Sequence, residues 1–545
     1  MKGRFAGTAE IVFIVIIACV PLFVTFPYRV NIFLTWEGAY RMSEGQLPFK
    51  DFGTPLGGMF WVIPALFFKI FGTQMITLVK AQVFINIISG LAFRSILKSL
   101  SAHAAIRFVA IFLFCLSFSF SNFWPWYNHT VIVYELIALA FLFRFISNES
   151  GKYRFLWLAG AALFIVFSLL TKQDGGGLAL LISIILIACN SLFTRNWKPL
   201  LLFSAFFTFI LILVILAFSQ YSFGYWFNHG QAPHTARVSI SEVAGEFFYG
   251  SQWIKFYLFL IILLLLAGFR SWKEMWSDKK IVLFVLLTIS ILGEAAVFQV
   301  TSYTPPDNNI FFHSFAVALI LTLIAQLSVV SFDKKIIFTT CLVGIMLWWS
   351  TAYWKYCERI IDRILPDRTQ GVVATQSPSG ENLVNKNTYM ISNAEPEIPM
   401  SEWVYTDLRS FDGIYMPKPT ADGINRLLNM ELVKVHKTRG DLKVLNMCEL
   451  TPLAVEIPFQ LERNEQLPLW YHLGVGMFNQ QAALFENRIA SHYYDLVLFE
   501  FIPTLNNFYP FRVRDSLKIN YKMIDQFPAP RRGDTKGMIE IYVRP

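Results

Sequence analysis

The sequence predicts a polytopic α-helical membrane protein of about eleven transmembrane helices, followed by a C-terminal extracytoplasmic α/β domain. Three observations predict this fold class. Of the 545 residues, 55% are hydrophobic and only 15% are charged, which lies outside the range of soluble globular proteins. Apolar runs long enough to cross a bilayer recur up to residue 354, and beyond that point charged and turn-forming residues become frequent.

The predicted spans are apolar runs of roughly 20 residues, the length that a bilayer requires. They lie at residues 9 to 34, 74 to 97, 104 to 122, 129 to 146, 155 to 171, 175 to 194, 199 to 218, 253 to 269, 281 to 299, 313 to 331 and 336 to 354. Residues 1 to 354 contain 24 basic residues. If the amino terminus is cytoplasmic, sixteen of them fall in loops on the cytoplasmic side. The positive-inside rule therefore predicts that orientation, with the carboxyl terminus outside.

Charge and motifs exclude several function classes. The net charge of +9 belongs to short loops of the membrane part rather than to an exposed basic domain, so we predict no nucleic-acid partner. The chain has no CxxC pair, Gly-rich phosphate loop, HExxH or GxSxG motif. We therefore predict no cofactor, although the sequence leaves a divalent metal open.

The chain divides into three predicted regions. Residues 1 to 354 form the transmembrane module, 355 to 386 form a linker, and 387 to 545 form the α/β domain. In that domain, strand-like runs alternate with helical stretches near 420 to 432 and 476 to 491. The strand-like runs are 388 to 391, 443 to 447, 494 to 499 and 538 to 543. The apolar segment 57 to 72 contains Pro64 and is short, so we expect it to lie along the outer membrane surface.

Polar side chains of the predicted outside loops are candidates for chemistry. Ionisable groups near the hydrocarbon boundary are costly, and they usually mark a functional site. A carboxylate beside several cations suits displacement of a phosphate leaving group by a hydroxyl, because the carboxylate accepts the proton and the cations stabilise the departing phosphate. The candidate residues in the predicted outside loops are the carboxylates Glu37, Asp51, Asp174 and Asp307, the cations Arg41, Lys50, Lys172 and Arg237, and the histidines His129, His229, His234 and His313.

The order of several short motifs resembles the GT-C glycosyltransferases, the superfamily of protein mannosyltransferases and of the lipid A aminoarabinose transferase. Glu37 and the stretch 45 to 58 are similar to the first extracytoplasmic loop of that family. Tyr127 and Asn128, the turn 171 to 175 and the stretch 307 to 313 are similar to its later motifs. Trp36 stands where many relatives have Asp, so the catalytic carboxylate is a single Glu.

The resemblance implies a multi-pass enzyme of a bacterial inner (plasma) membrane. It would move a sugar, with inversion, from a polyprenyl-phosphate carrier to an extracytoplasmic acceptor in the cell envelope (a lipid, a glycan or a protein). Glu37 would be the base, with Asp51 as its rival or as a supporting acid. The expected substrate-binding residues are Arg41, Lys50, Tyr127, Asn128, Lys172, Asp174, Asp307 and His313, with His234 and Arg237 ranked lower.

Simpler interpretations stay open for single residues. Glu37 and Asp51 would also suit a helix end that faces water, Lys172 a snorkelling lysine, and Asp174 an N-terminal helix cap. Two other functions remain: a transporter or flippase of lipid-linked sugars, and a ligase or polymerase of finished glycans. A transporter more often has repeated halves with polar residues at the bilayer midplane.

Overall fold

The architecture was obtained as a computed structural model of the whole chain. It describes residues 3–23, 26–27, 30–120, 123–148, 151, 153–221, 240–301, 310–327, 330–350, 354, 398, 402–437, 439–457, 459–469, 478–503, 510–530 and 536–545.

Fifteen helices are described between residues 3 and 348. In chain order they are α1 (Gly3–Ala18), α2 (Val30–Ser43), α3 (Met59–Phe71), α4 (Met75–Ser99), α5 (Ala104–Phe120), α6 (Tyr127–Ser147), α7 (Arg154–Leu169), α8 (Gln173–Thr194), α9 (Lys198–Phe218), α10 (Ile240–Tyr249), α11 (Gln252–Gly268), α12 (Trp272–Ser277), α13 (Lys279–Thr301), α14 (Ile310–Gln326) and α15 (Lys335–Trp348). Two short strands, β1 (Phe26–Pro27) and β2 (Phe52–Gly53), lie between the early helices.

Among the described residues, five helices have the length and apolar composition to cross a membrane: α4, α6, α8, α9 and α13. The pair α10 and α11, bent by 76°, would make a sixth span. Six further apolar segments of 10–17 residues occur at Gly7–Phe23, Met59–Phe71, Ala104–Phe118, Arg154–Leu169, Phe311–Gln326 and Lys335–Trp348. The chain is thus a multi-pass membrane protein, whereas the number of eleven spans remains a prediction.

The first predicted span is wrong as a single helix. Residues 9 to 34 are divided among the end of α1, a 3₁₀ turn at Val20–Phe23, β1 and the start of α2. Pro21 and Pro27 fall within this stretch, and proline lacks the N–H that a continuous helix needs. Glu37 therefore lies inside a second helix rather than in a loop after the first span.

The C-terminal part is a small α/β unit. Its strands are β3 (Trp403–Tyr405), β4 (Ile414–Pro417), β5 (Val444–Met447), β6 (Asn464–Pro468), β7 (Leu496–Phe501), β8 (Lys522–Pro528) and β9 (Met538–Val543). Its helices are α16 (Lys418–Asn429), α17 (Glu431–Lys437), α18 (Leu453–Glu456), α19 (Phe478–Ala490) and α20 (Phe511–Asn520). A four-stranded sheet has the order β5-β7-β9-β8, in which β5 and β7 are parallel and the other pairs antiparallel.

Strands are present at three of the four predicted positions, and the fourth, 388 to 391, lies outside the described residues. The predicted helical stretches are also helical, although the first is divided into α16 and α17. The predicted boundaries of the linker and the domain remain predictions.

The C-terminal unit is joined to the N-terminal segments by shared sheets and a shared core. β1 pairs in parallel with β4, and β2 pairs in parallel with β6. Buried apolar side chains of α2, α3 and the C-terminal unit belong to one cluster, which includes Trp36, Trp61, Leu450 and Phe459. The segment that carries Glu37 is therefore held between the helical part and the C-terminal unit.

Candidate functional site

Close packing of α2 on α3 fixes the direction in which Glu37 points. Gly38 lies against the Trp61 ring, where an added Cβ would come within 2.1 Å of a ring atom. The Trp61 Nε1 donates a hydrogen bond to the Leu34 carbonyl at 3.1 Å. Trp36 is completely buried on the neighbouring turn and stacks on Tyr40. These contacts allow little rotation of α2 about its axis.

Glu37 forms an ion pair with Arg41 one helical turn later. The Arg41 Nε and Nη2 both lie 2.9 Å from the Glu37 Oε1. The Arg41 Nη1 donates to the Gln46 Oε1 at 2.9 Å and to the Glu462 carbonyl at 3.1 Å. Gln46 in turn donates to the Leu461 carbonyl at 2.8 Å. The ion pair is thus attached directly to the backbone of the C-terminal unit.

A small pocket of about 60 Å³ lies between α2 and the C-terminal unit. Trp36, Glu37 and Arg41 line it from one side, and residues around β5, α18 and β6 line it from the other. The Glu37 side chain is 18% exposed. Burial raises the pKa of Glu37 above that of an ordinary glutamate, and the Arg41 guanidinium lowers it part of the way back. The carboxyl group is therefore a stronger base than a glutamate in water.

Asp51 occupies a turn rather than the pocket. Its side chain is buried and accepts a hydrogen bond from the Leu47 N–H at 2.8 Å, and its carbonyl accepts from the Asn464 N–H at 2.8 Å. Asp51 thus shapes the loop that carries β2. Lys50 is exposed, with its Nζ 5.6 Å from the centre of the Tyr221 ring.

The first loop also packs against the turn between α7 and α8. An added Cβ on Gly57 would lie 1.6 Å from the Leu170 carbonyl oxygen, so only glycine fits there. Lys172 follows two residues later, with its Nζ 2.9 Å from the Asp174 Oδ2. Asp174 also accepts from the Gly175 N–H at 2.8 Å, but it lies in the first turn of α8 rather than at the N-cap position, which Lys172 occupies. The predicted outside turn is shorter than expected, because α8 begins at Gln173.

Tyr127 and Asn128 open α6, which begins two residues before the predicted span 129 to 146. The Tyr127 ring contacts Phe60 and Trp126 and belongs to the core that α2 and α3 share. Asn128 is buried, and neither polar atom of its amide has a hydrogen-bond partner among the described residues.

His313 lies in the first turn of α14, inside an aromatic group. It stacks on Trp253 with ring centres 4.1 Å apart, and its Nδ1 lies 2.9 Å from the Tyr257 hydroxyl. These contacts suit a structural role as well as a binding role. Asp307, His234 and Arg237, together with His229, lie outside the described residues.

Sequence reasoning missed two features of this region. The contacts of Gln46 and Arg41 with the carbonyls of Leu461 and Glu462 were not expected, because partners separated by 415 and 421 residues leave no local signal. Glu135 and Glu294 lie within predicted spans but were not among the candidate site residues, although an ionisable residue inside a span is itself a signal. Within the described part of the chain, no group of three or more His, Cys, Asp or Glu side chains is arranged to hold a metal ion.

Comparisons with known proteins found structural similarity only. No protein-family model and no curated protein matches the chain. ArnT from Cupriavidus metallidurans bound to undecaprenyl phosphate is 11% identical, with a TM-score of 0.45 over 99% of this chain and 98% of that one. Its apo state is 12% identical, with a TM-score of 0.42 over 98% of each chain. An oligosaccharyltransferase from Archaeoglobus fulgidus is 9% identical, with a TM-score of 0.38 over 90% of this chain and 67% of that one. Because these TM-scores are low, we base the function on the residues of this chain.

Proposed function

We propose that the chain is a membrane glycosyltransferase that moves a sugar from a polyprenyl-phosphate carrier to a hydroxyl acceptor, with Glu37 as the general base. The observation that carries the proposal is the half-buried Glu37 carboxyl group, which lines a pocket closed by the C-terminal unit and has a raised pKa. A base with such a pKa accepts a proton more readily near neutral pH.

The reaction is a single displacement. The acceptor oxygen forms a bond to the anomeric carbon while the bond from that carbon to the phosphate oxygen breaks, and Glu37 takes the hydroxyl proton. The leaving group is the polyprenyl phosphate, whose added charge a nearby cation would stabilise. We assign this role to Lys172, at the start of a helix long enough to span the membrane, where a lipid-borne phosphate would lie. The configuration at the anomeric carbon inverts.

Glu37 is preferred to Asp51 because of their surroundings. The Asp51 carboxyl accepts the Leu47 N–H of its own turn and is used to hold the loop. The Glu37 carboxyl faces the pocket with only Arg41 as its ion-pair partner in the described residues. The proposed enzyme would work at the outer face of a bacterial plasma membrane, with an envelope lipid, glycan or protein as acceptor.

The test is the Glu37→Gln variant, which keeps the shape of the side chain but cannot accept the proton. Release of free polyprenyl phosphate from synthetic polyprenyl-phosphate sugars should fall by about 10²- to 10⁴-fold, the usual contribution of a positioned base. Binding of undecaprenyl phosphate, followed by native mass spectrometry, should be unchanged. Glu44→Gln, an exposed acid just beyond α2, is the matched control and should keep full activity.

Near-normal release by Glu37→Gln would reject the base assignment. If neither Glu37→Gln nor Asp51→Asn changes release, while the intact donor crosses vesicles that contain the protein, a transporter of lipid-linked sugars replaces the enzyme.

A further inference from the structure

Two glutamates face each other inside the helical part. Glu135 on α6 is 1% exposed and Glu294 on α13 is 2% exposed. Each carboxyl group acts electrostatically on the other. None of the four carboxyl oxygens has a hydrogen-bond partner from another group within the described chain. Both helices have the length and composition of membrane spans, and the pair lies in their interior turns.

A close contact of three helices places this pair beneath the start of α8. An added Cβ on Gly175 would lie 2.8 Å from both Val131 of α6 and Phe298 of α13. Val131 precedes Glu135 by one turn, and Phe298 follows Glu294 by one turn, so the two glutamates lie on the faces that meet at Gly175. Lys172 lies above, with its Nζ 4.8 Å from the centre of the Phe298 ring.

Unsatisfied polar atoms continue from the pair toward the same end. Asn128 lies two turns before Glu135 on the same face of α6, and neither atom of its buried amide has a partner among the described residues. Thr301 lies two turns after Glu294 on α13, and it approaches the Asp174 carboxylate. Buried polar groups are normally hydrogen-bonded, so these polar atoms mark a polar path between the pair and the outer ends of α6 and α13.

The charged groups around Glu135 and Glu294 favour a proton as the species that the pair binds. The groups that act on Glu294 are Glu135, Asp174 and Lys172, and Lys172 is already paired with Asp174 at 2.9 Å. On the neighbouring elements, His129 lies beside Gln82 of α4, and His313 lies beside Tyr257. Two bare carboxylates in contact repel each other strongly away from water. One shared proton removes a charge and supplies an O–H donor between them.

We propose that Glu135 and Glu294 form an intramembrane proton-binding site, which holds one exchangeable proton and opens to water at the Lys172–Asp174 ion pair. This site goes beyond glycosyl transfer, and its test needs no transfer activity.

The test is difference infrared spectroscopy of the full chain in lipid nanodiscs. At neutral pH the wild type should show the carbonyl band of a protonated carboxylic acid, shifted in D₂O. Glu135→Gln and Glu294→Gln should each shift that band, because the remaining buried acid loses the carboxyl group with which it shares its proton, and the variant that carries both substitutions should lose the band. Glu10→Gln is the matched control: Glu10 is fully buried but lies 2.7 Å from both Arg94 and Arg107, apart from the glutamate pair, so the band should stay.

Two results would overturn the proposal. The first is absence of the band from the wild type, which requires no variant to fold. The second is an unshifted band in both single variants, or a band that persists when both glutamates are replaced by Gln, with native size-exclusion profiles. The outlet is tested separately by the rate of the D₂O shift. Asp174→Asn should slow it, whereas Asp422→Asn, on the exposed surface of α16, should not. An unchanged rate in Asp174→Asn would reject the ion pair as the outlet.

Discussion

Arg41 lowers the pKa of Glu37, and its removal should change the pH dependence of the proposed sugar transfer. Burial raises the pKa of Glu37, and the Arg41 charge lowers it. The proposed base would work only when ionised, so activity should fall as the pH decreases through that pKa. In Arg41→Gln the lowering contribution is lost, and the acidic limb of the pH profile of kcat/KM should move to higher pH.

Lys69→Gln serves as the control, because Lys69 is an exposed cation at the end of α3. An acidic limb that stays in place in Arg41→Gln would show that Glu37 is not the group whose ionisation limits the rate.

Lys172 is the residue for which charge and shape can be separated. Lys172→Met keeps a long unbranched side chain but removes the ammonium group, so affinity for undecaprenyl phosphate and turnover should both decrease. Lys172→Arg should keep part of each, because a guanidinium also binds phosphate. Titration of the purified variants with undecaprenyl phosphate measures the effect. Equal affinity in all three proteins would leave Lys172 as an anchor for Asp174.

Site residues could be predicted from the sequence only where the chemistry is local. Glu37 and Arg41 are one turn apart, and Lys172 and Asp174 are two residues apart, so both pairs were among the candidates. Asp51 was a rival base because nothing in the sequence shows that its carboxyl group accepts the N–H of Leu47. The contact of Arg41 with Glu462 was beyond prediction, since it depends on how distant parts of the chain dock.

At the scale of elements, the first loop packs so closely on the end of α7 that adding one methyl group at Gly57 should lower the stability of the protein. Gly57→Ala would place a methyl group against the Leu170 backbone, which cannot move aside as a flexible side chain can. We expect a loss of about 1–3 kcal/mol of stability, typical of overpacking. Gly177→Ala is the control, because a Cβ there meets no atom within 4 Å and alanine favours a helix.

Thermal unfolding in detergent, followed by intrinsic fluorescence, compares the two variants. A Tm for Gly57→Ala equal to that of the wild type would mean that the loop does not pack on α7 as described.

The positions of helices and strands were easier to predict from the sequence than the places where a predicted helix is interrupted. Apolar runs revealed most of the long helices, and alternating apolar residues revealed β9, whose bounds agree with the predicted run 538 to 543. The division of residues 9 to 34 was missed because hydropathy alone does not register Pro21 and Pro27. The short strands β1 and β2 were missed for another reason: two residues carry no periodicity, and their partners lie in the C-terminal unit.

The whole molecule has a predicted orientation that can be tested without any activity. The basic inside loops predict that Pro545 lies outside the cytoplasm. A reporter that is active only in the cytoplasm should stay silent when fused after Pro545, and a periplasmically active reporter should give a signal. Activity of the cytoplasmic reporter would reverse the orientation and move Glu37 to the other face of the membrane.

The pairing of β2 with β6 also has a consequence for the order in which the protein matures. Gln46 and its partner Leu461 are separated by 415 residues, which a ribosome needs roughly 20–80 s to add at about 5–20 residues per second. During that interval the segment with Glu37 has already emerged while the strand that closes its pocket does not yet exist. A nascent chain therefore carries the proposed base without its enclosure, and competence for catalysis arises only when synthesis is nearly finished.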